Sequence, residues 1–244
     1  MTLDRLGLPR ADVPTAFDHG AGSYDRLVGV NPGYHAHLRR SAERLELPSG
    51  GAGLHLLDAG CGTGASTASL LAVAPHARIT AIDASGAMLE QARRKNWPDT
   101  VKFVHTRVED LDTANVHGPF DGILAAYLLR NLTDPDGVLR ALRALLSPRG
   151  RIAVHEYSVR DSRRARIVWN AVCAAIIIPA GRVTTGDATL FRHLRRSVLT
   201  FDGVAGLTER LVHAGFTDVK ASTMGGWQRD IVHTVLGTAP GAGR

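Results

Sequence analysis

The stretch Leu54–Ala68, LHLLDAGCGTGASTA, decides how the rest of the chain is read. Leu54, Leu56 and Leu57 make a short apolar run suited to a buried strand. The run breaks into Gly60, Gly62 and Gly64, and a helix is expected from Ala65. Glycines at this spacing allow a tight turn and let a ligand lie against the main chain with no Cβ in the way. The free N–H groups of the following helix point back at that ligand. Asp58 ends the strand inside the turn, where its carboxylate is expected to face the pocket. The plainest reading is a strand, a turn and a helix in an α/β protein. GCGTGA also fits the dinucleotide pattern G-x-G-x-x-A, so a nicotinamide or flavin site competes.

Two neighbours tilt the choice. A carboxylate at position 58 would repel a pyrophosphate and suits a cationic ligand better. The next strand, Arg78–Ile82, ends at Asp83, and a carboxylate at that strand end hydrogen-bonds ribose hydroxyls. A ribose joined to a cationic amino-acid arm describes S-adenosylmethionine. DAGCGTG followed by IDASGAMLEQA closely resembles the class I methyltransferases.

Outward from this stretch, strands and helices alternate. Strand Leu54–Asp58 precedes helix Ala65–Val73, and strand Arg78–Ile82 precedes helix Ala84–Asn96, which Trp97-Pro98 stops. Strand Val101–His105 leads to a loop at Val108–Leu111. Strand Phe120–Ala125 precedes helix Pro135–Leu146, ended by Ser147-Pro148-Arg149-Gly150, and strand Arg151–Tyr157 follows. Such alternation predicts a parallel sheet covered by helices on both faces. Residues 159–200 then read as helical. Helix Val204–Ala214 follows, then strands Thr217–Ser222 and Arg229–Thr238 joined through Met224-Gly225-Gly226. So short a connection requires an antiparallel pair. The expected fold is α/β: a Rossmann-like, seven-stranded, mostly parallel sheet with a C-terminal antiparallel hairpin, a helical N-terminal segment and a helical cap. The divisions are 1–45 (N-terminal helices), 46–158 (cofactor-binding core), 159–203 (substrate cap) and 204–244 (remainder of the sheet domain). Residues 1–15 are expected to be loose, and Gly20, Gly22 and Asn31-Pro32-Gly33 to interrupt the helices of 16–45.

The 244 residues suffice for one domain with an elaboration. With 44% hydrophobic and 21% charged residues, the composition is that of an ordinary globular enzyme. Cys61 and Cys173 form neither a metal spacing nor a disulfide framework, which fits a reducing cytosol; no metal site is expected. Met1–Pro14 has no signal-peptide core, and the apolar run Ala171–Ala180 is too short to span a bilayer. Between Tyr157 and Thr200 stand eight arginines against Asp161 and Asp187, a surplus equal to the net +6 of the whole chain. This suits the inner membrane face or another anionic partner, and equally a solvated helix face. At 5% aromatic residues and with no binding motif, nucleic acid is not an expected partner.

Just past the fourth strand lies YLLRNLTD (127–134), and in an open α/β sheet ligands bind beyond the carboxyl ends of the strands. Here the chain resembles the ubiquinone and menaquinone biosynthesis C-methyltransferases, which carry an Arg-Asn pair at the corresponding place. The resemblance extends to SYDRL (23–27) with PGYH (32–35), to HEYS (155–158), and to IIPAGRVTTGD with LFRHLRRSV, and covers residues 16–238. It implies S-adenosylmethionine as cofactor, S-adenosylhomocysteine as product and a lipid-soluble quinol as substrate. Thr106 and Arg107 depart from the family's pattern after the third strand, and Arg196 replaces an acidic residue of its cover helix. GWQRDIVHTVLG also differs from its usual ending.

The expected cofactor residues are Tyr24, Asp58, Gly60, Cys61, Gly62, Thr63, Gly64, Asp83, Ala84, Met88, Val108, Glu109 and Ala125. Tyr24 would close over the methionine end, Asp83 would hold the ribose, and Val108 and Glu109 would meet the adenine. Arg130, Asn131 and His35 are the catalytic candidates. Arg130, always protonated, would stabilise a ring phenolate and order a water as base; otherwise it pairs with Asp134 and braces the loop. His35 has the pKa range of a general base but also reads as a surface histidine. Ile167, Val168, Val172 and Ile176–Ile178 would cover an isoprenoid tail, or pack the cap, or form a homodimer face. The favoured reading is C-methylation of a prenylated quinol such as demethylmenaquinol. Its alternative is C-, N- or O-methylation of a small aromatic or heterocyclic metabolite. A nicotinamide enzyme and a non-catalytic binding module are the rivals from other classes.

Overall fold

In the computed structural model, the apolar run after Gly53 forms β1 (His55–Ala59), whose last four residues are buried. The structure describes residues 33–185 and 188–241, with Thr15, Phe17, Asp18, Ala21, Gly22, Tyr24, Asp25, Gly29 and Asn31 before them. Of the segment 1–15 expected to be loose, residues 1–14 lie outside the described residues, as do the expected breakers Gly20 and Pro32, while Thr15 and Gly22 are helical.

Strands β2 (Arg78–Asp83), β3 (Val101–His105), β4 (Phe120–Ala126) and β5 (Leu146–Tyr157) join β1 in parallel. Strands β6 (Thr217–Thr223) and β7 (Val232–Thr238) complete a seven-stranded sheet of order β3-β2-β1-β4-β5-β7-β6. β7 runs antiparallel to both its neighbours, β5 and β6. Between β1 and β4 the order of connection reverses, and β1's glycine turn opens into that crevice, where open α/β sheets bind ligands.

Helices α1 (Tyr34–Glu43) and α2 (Ala65–Val73) cover one face, burying Leu38, Ala42 and Leu70 over Leu56, Ile79 and Leu124. α3 (Gly86–Arg93) follows β2, capped by Ser85, whose Oγ accepts from the Met88 N–H at 3.1 Å. α4 (Pro135–Ala144) and α8 (Val204–His213) cover the other face, with Leu139, Leu142, Leu207 and Leu211 over Leu57, Ile123 and Val154. Pro135 stands at the first turn of α4, and Asp134 caps it by accepting from the Gly137 N–H at 2.8 Å.

Three differences from the sequence reading have physical causes. The helix expected from Ala84 to Asn96 is shorter because Ser85 serves as its cap and Trp97 turns back to donate to the Ala92 carbonyl at 2.8 Å. Helix α4 stops at Ala144 because Leu146 pairs with Phe120 across an irregularity in the ladder, so Ser147–Gly150 belong to β5. The cap comprises α5 (Arg163–Val172), a π-helical turn (Cys173–Ile177), α6 (Ile178–Thr185) and α7 (Thr189–Thr200). Residues 163–184 form one continuous rod of 22 residues, long and apolar enough to cross a membrane by length and composition, whereas the sequence reading saw only the short run 171–180. Its inner side is packed on the fold: Trp169 and Cys173 are fully buried with Tyr157, Val198 and Ile231.

Candidate active site

Two cavities share a wall at the carboxyl ends of the strands. The first, about 140 Å³, is lined by Gly60–Thr63, Asp83, Ala84, Met88 and residues 106–109. The second, about 520 Å³, lies under the cap, between Tyr157, Val168, Trp169, Ile176, Phe191 and Leu194. Phe17, Tyr24, Tyr34, Tyr127, Arg130 and Asn131 line both.

The first cavity is built by backbone. Gly60 and Gly62 take positive φ of 77° and 54°, and a Cβ on Gly62 would stand in open space at the cavity. Gly64 (φ 91°) starts α2, and a Cβ there would strike Trp97 at 2.8 Å, so it is required by packing rather than by a ligand. Asp83 accepts from the Gly62 N–H (2.7 Å) and the Ser85 N–H (2.8 Å), one bond to each carboxylate oxygen. Each oxygen keeps a further lone pair. Two acidic residues that the sequence reading missed clasp this cavity. Asp18 accepts from Ser85 Oγ at 2.5 Å, and Asp25 accepts from Thr63 Oγ1 at 2.5 Å while pairing with Lys95 at 2.7 Å.

Asp58, expected to face the pocket, is fully buried beneath the turn. Its Oδ2 accepts from Ser66 (2.8 Å) and Thr67 (2.6 Å), while Oδ1 is buried without a partner. Burial pushes its carboxyl up to about 7 against the help of the two hydroxyls. An open space beside Gly62 and spare acceptors on Asp83 fit the ribose of the cofactor that the sequence implies, while Asp58, which lines neither cavity, holds the Ser66 and Thr67 hydroxyls at the start of α2. Ala125 is a core residue, and its neighbour Ala126 reaches the cavity instead.

The shared wall is aromatic. Tyr34 stacks on Tyr127 (centroids 5.8 Å apart), Tyr127 on Tyr157 (4.7 Å), and Tyr157 tilts against Trp169 (4.8 Å). Burial raises all three phenols, Tyr157 up to about 12 and Tyr34 and Tyr127 well above the usual range, so all remain protonated near neutrality. Of this ladder the sequence reading named no member. Its signals were the tyrosines inside YLLRN, HEYS and PGYH, three segments already singled out.

Arg130 is 7% exposed and lies 5.5 Å and 5.7 Å from the ring centroids of Tyr127 and Tyr157. Its Nη1 donates to Glu156 Oε1 at 2.5 Å and to the Tyr127 carbonyl at 3.0 Å. The brace is thus Glu156, not Asp134, which is occupied in capping α4. Burial opposes the guanidinium charge, but the Glu156 carboxylate outweighs it and holds Arg130 above its ordinary value. Arg130 Nε is a buried donor with no partner. Asn131 donates to the Tyr127 carbonyl at 3.1 Å and lines both cavities. His35 is exposed, edge-on to Tyr34, and lines neither cavity.

Comparison with known proteins identifies the family and the fold. The profile of the ubiE/COQ5 methyltransferase family matches residues 7–234. The demethylmenaquinone methyltransferase of Clavibacter sepedonicus is 30% identical over 210 residues, 85% of this chain and 83% of the relative. A ubiquinone/menaquinone biosynthesis C-methyltransferase of Shewanella frigidimarina is 28% identical over 218 residues, 87% of this chain and 85% of the relative. The fold is also that of the [4+2]-cyclase SpnF (TM-score 0.68, 18% identity, 98% of this chain and all of the other). It is shared as well with a Burkholderia thailandensis 1,6-didemethyltoxoflavin N1-methyltransferase (TM-score 0.62, 20% identity, 94% and 88%).

Proposed function

We propose, for a chain that belongs to the ubiE/COQ5 methyltransferase family, that the methyl acceptor is a ring carbon of a prenylated hydroquinone of the demethylmenaquinol type. The protein is an S-adenosylmethionine-dependent methyltransferase. The observation that carries the acceptor reading is the 520 Å³ chamber of rings and aliphatic side chains that meets the cofactor cavity at a single buried cation, Arg130. An apolar bicyclic ring with the start of a tail suits such a chamber, and a few polar groups at its floor suffice to orient it.

The cofactor supplies an already activated methyl group on a sulfonium, so the protein's work is alignment and acceptor activation. In this reading Asp83 holds the ribose diol, the Gly60–Gly64 turn admits the backbone-facing side of the cofactor, and Ala84, Met88, Val108 and Glu109 enclose the adenine. Tyr24, half-buried where the two cavities meet, covers the methionine end. A ring carbon becomes nucleophilic when an adjacent hydroxyl gives its proton to a water ordered by Arg130, and the methylated carbon then gives up its own proton to solvent as the ring regains aromaticity. Arg130 stabilises that phenolate: its unpartnered Nε is a donor awaiting an acceptor oxygen, and a buried unmet donor costs about 1–3 kcal/mol. Glu156 keeps the guanidinium in place and its charge balanced until the phenolate forms. Asn131 steadies the Tyr127 carbonyl beside it.

Labelled S-adenosylmethionine offered with chemically reduced demethylmenaquinone, its oxidised form, and a panel of phenols and N-heterocycles tests the reading. Label confined to the reduced quinone supports it. Label in a phenol or heterocycle but not the quinol replaces it with small-metabolite methylation.

The same reading places the cap at a membrane surface, where such an acceptor resides. Ile167 and Val183, which line neither cavity, are 70% and 86% exposed on the rod, and Arg163, Arg164, Arg166, Arg182, Arg192, Arg195 and Arg196 are exposed as well. Exposed apolar side chains together with arginines suit an anionic lipid interface. Cosedimentation with phosphatidylglycerol vesicles, lost in Val183→Glu and absent with neutral lipid, is the expected result; equal recovery with both lipids refutes it.

A further inference from the structure

We propose that Tyr127, fixed by a buried chain through His155, Ser41 and Thr234, selects for an acceptor that donates a hydrogen bond, and so reads the reduced state of the substrate. The inference rests on the phenolic-acceptor reading above and adds to it the group that tells quinol from quinone.

The proposal assigns each hydrogen bond in the chain a direction, taking the Ser41 hydroxyl as donor to the His37 carbonyl within α1. Arg44 has only donors, and its Nη1 lies 2.6 Å from Thr234 Oγ1, so Thr234 accepts there. Thr234 therefore turns its own proton to Ser41 Oγ, 2.7 Å away. The Ser41 hydroxyl donates to the His37 carbonyl at 3.1 Å, a bond within α1, so its lone pairs must receive the other two neighbours. One is Thr234; the other is His155 Nδ1 at 2.7 Å, which must then carry its hydrogen. His155 is fully buried, and that burial, with Arg44, His37 and His233 nearby, pushes its imidazole down to about 3. It is neutral, so its Nε2 has no hydrogen and accepts from the Tyr127 hydroxyl at 3.0 Å.

The consequence falls on the cavity. Tyr127 lines both chambers, and in this assignment its one hydroxyl proton goes inward to His155, with the Tyr157 hydroxyl as a further side-chain partner. Only lone pairs of its oxygen remain for a ligand. The ring cannot swing away: Tyr34 and Tyr157 stack on it, its N–H donates to the His155 carbonyl at 2.7 Å, and its backbone sits at φ 56°, a conformation held only where surroundings enforce it. A hydroquinone has two hydroxyls. In the proposed pose one oxygen meets Arg130, and the other donates to Tyr127. A quinone carbonyl at the second position brings lone pair against lone pair. Sites built to receive a hydroxyl discriminate strongly against analogues without one, because their own polar group is left unpaired.

Binding of redox-inert probes to the protein saturated with S-adenosylhomocysteine tests this by calorimetry. 4-Methoxy-1-naphthol keeps one donor, and 1,4-dimethoxynaphthalene keeps none. The wild type is expected to prefer the naphthol about tenfold or more, the scale of one added hydrogen bond. Tyr127→Phe keeps the ring stack and abolishes the preference. His155→Leu frees the Tyr127 proton to point at the ligand, so affinity for 1,4-naphthoquinone rises while the naphthol preference falls. Such an inversion would not come from loosened packing, and unchanged affinity for S-adenosylhomocysteine certifies the fold. No preference in the wild type, or a preference surviving in Tyr127→Phe, or a His155→Leu ratio equal to wild type, overturns the proposal. A wild type that prefers the naphthol yet fails to methylate demethylmenaquinol leaves this inference standing and removes only the assigned substrate.

Discussion

Replacing Gly62 by alanine separates what the glycine turn does for folding from what it does for the cofactor. Gly62 has φ 54°, and a Cβ there meets nothing within 4 Å. The left-handed conformation costs an alanine about 1–2 kcal/mol, partly offset by a stiffer unfolded chain worth about 0.4–1 kcal/mol. The net is about 1 kcal/mol, or about 2–4 °C in the melting temperature of a chain this size. The new methyl group points into the cavity beside Asp83, where it takes space a ligand needs. Overpacking of this kind costs about 1–3 kcal/mol, so affinity for S-adenosylhomocysteine should fall about 10- to 100-fold. Gly53 is the control. It has φ 76°, an equally open Cβ position, and no part in either cavity. Gly53→Ala should melt lower by a similar amount and bind as the wild type does. Thermal unfolding without ligand, paired with calorimetric titration of S-adenosylhomocysteine, reads both quantities. If Gly62→Ala binds within twofold of the wild type, the cofactor does not lie against this turn and the assignment of the first cavity is wrong.

Three further outcomes are expected. Asp83→Ala removes two charge-assisted bonds to the loop as well as the ribose acceptor, and should reduce affinity for S-adenosylhomocysteine at least 100-fold by calorimetry, with Asp83→Asn intermediate. Glu156→Gln leaves the Arg130 charge buried without its counterion and should cost about 3 kcal/mol in urea unfolding, whereas the paired change Arg130→Met with Glu156→Leu should cost less than either single change. His155 is held near a pKa of about 3 when folded against about 6.5 when unfolded, so the unfolded chain binds the extra proton. Its contribution to stability is complete above pH 6.5 and lost as pH falls from there toward 3, at about 1.4 kcal/mol per unit; a His155→Leu series with an undiminished slope would contradict the neutral, buried imidazole.

The parts of this molecule that constrain the backbone are the parts legible from the sequence. The order of strands, the turn of Gly60 and Gly62, and the Asp134-Pro135 start of α4 each demand particular residue types at particular positions, and those residues are there. The extension of β5 back to Leu146 was not legible, because Ser-Pro-Arg-Gly has the local chemistry of a turn and only pairing with Phe120 makes it strand. His35 shows how one residue decides. α1 buries Tyr34, Leu38, Ser41 and Ala42, a stripe at helical spacing, and one position along turns the side chain about 100° away to solvent. The residue beside the candidate base, not the base, reaches the cavity.

The acceptor chamber is different in kind, and that difference explains where the chain's individuality lies. The polar groups behind its wall come from α1, the ends of β4 and β5, and β7, elements up to 193 residues apart in the bond between Ser41 and Thr234. No periodicity announces that Ser41, Tyr127, His155 and Thr234 will meet. Nor does any spacing show that Glu156 will neutralise Arg130 while its neighbour His155 faces the opposite side of the sheet. That alternation follows from strand geometry: successive side chains of β5 point to opposite faces, so one strand end supplies the counterion to the catalytic candidate and the support for Tyr127 at once. The glycine turn and Asp83 can stay the same while these side chains vary, although Tyr34 and Tyr127 line the cofactor cavity as well. On the proposed reading, substrate choice falls to Tyr34, Tyr127 and Tyr157, with His155 behind Tyr127, and exchanging those positions should change which acceptor takes up label from S-adenosylmethionine.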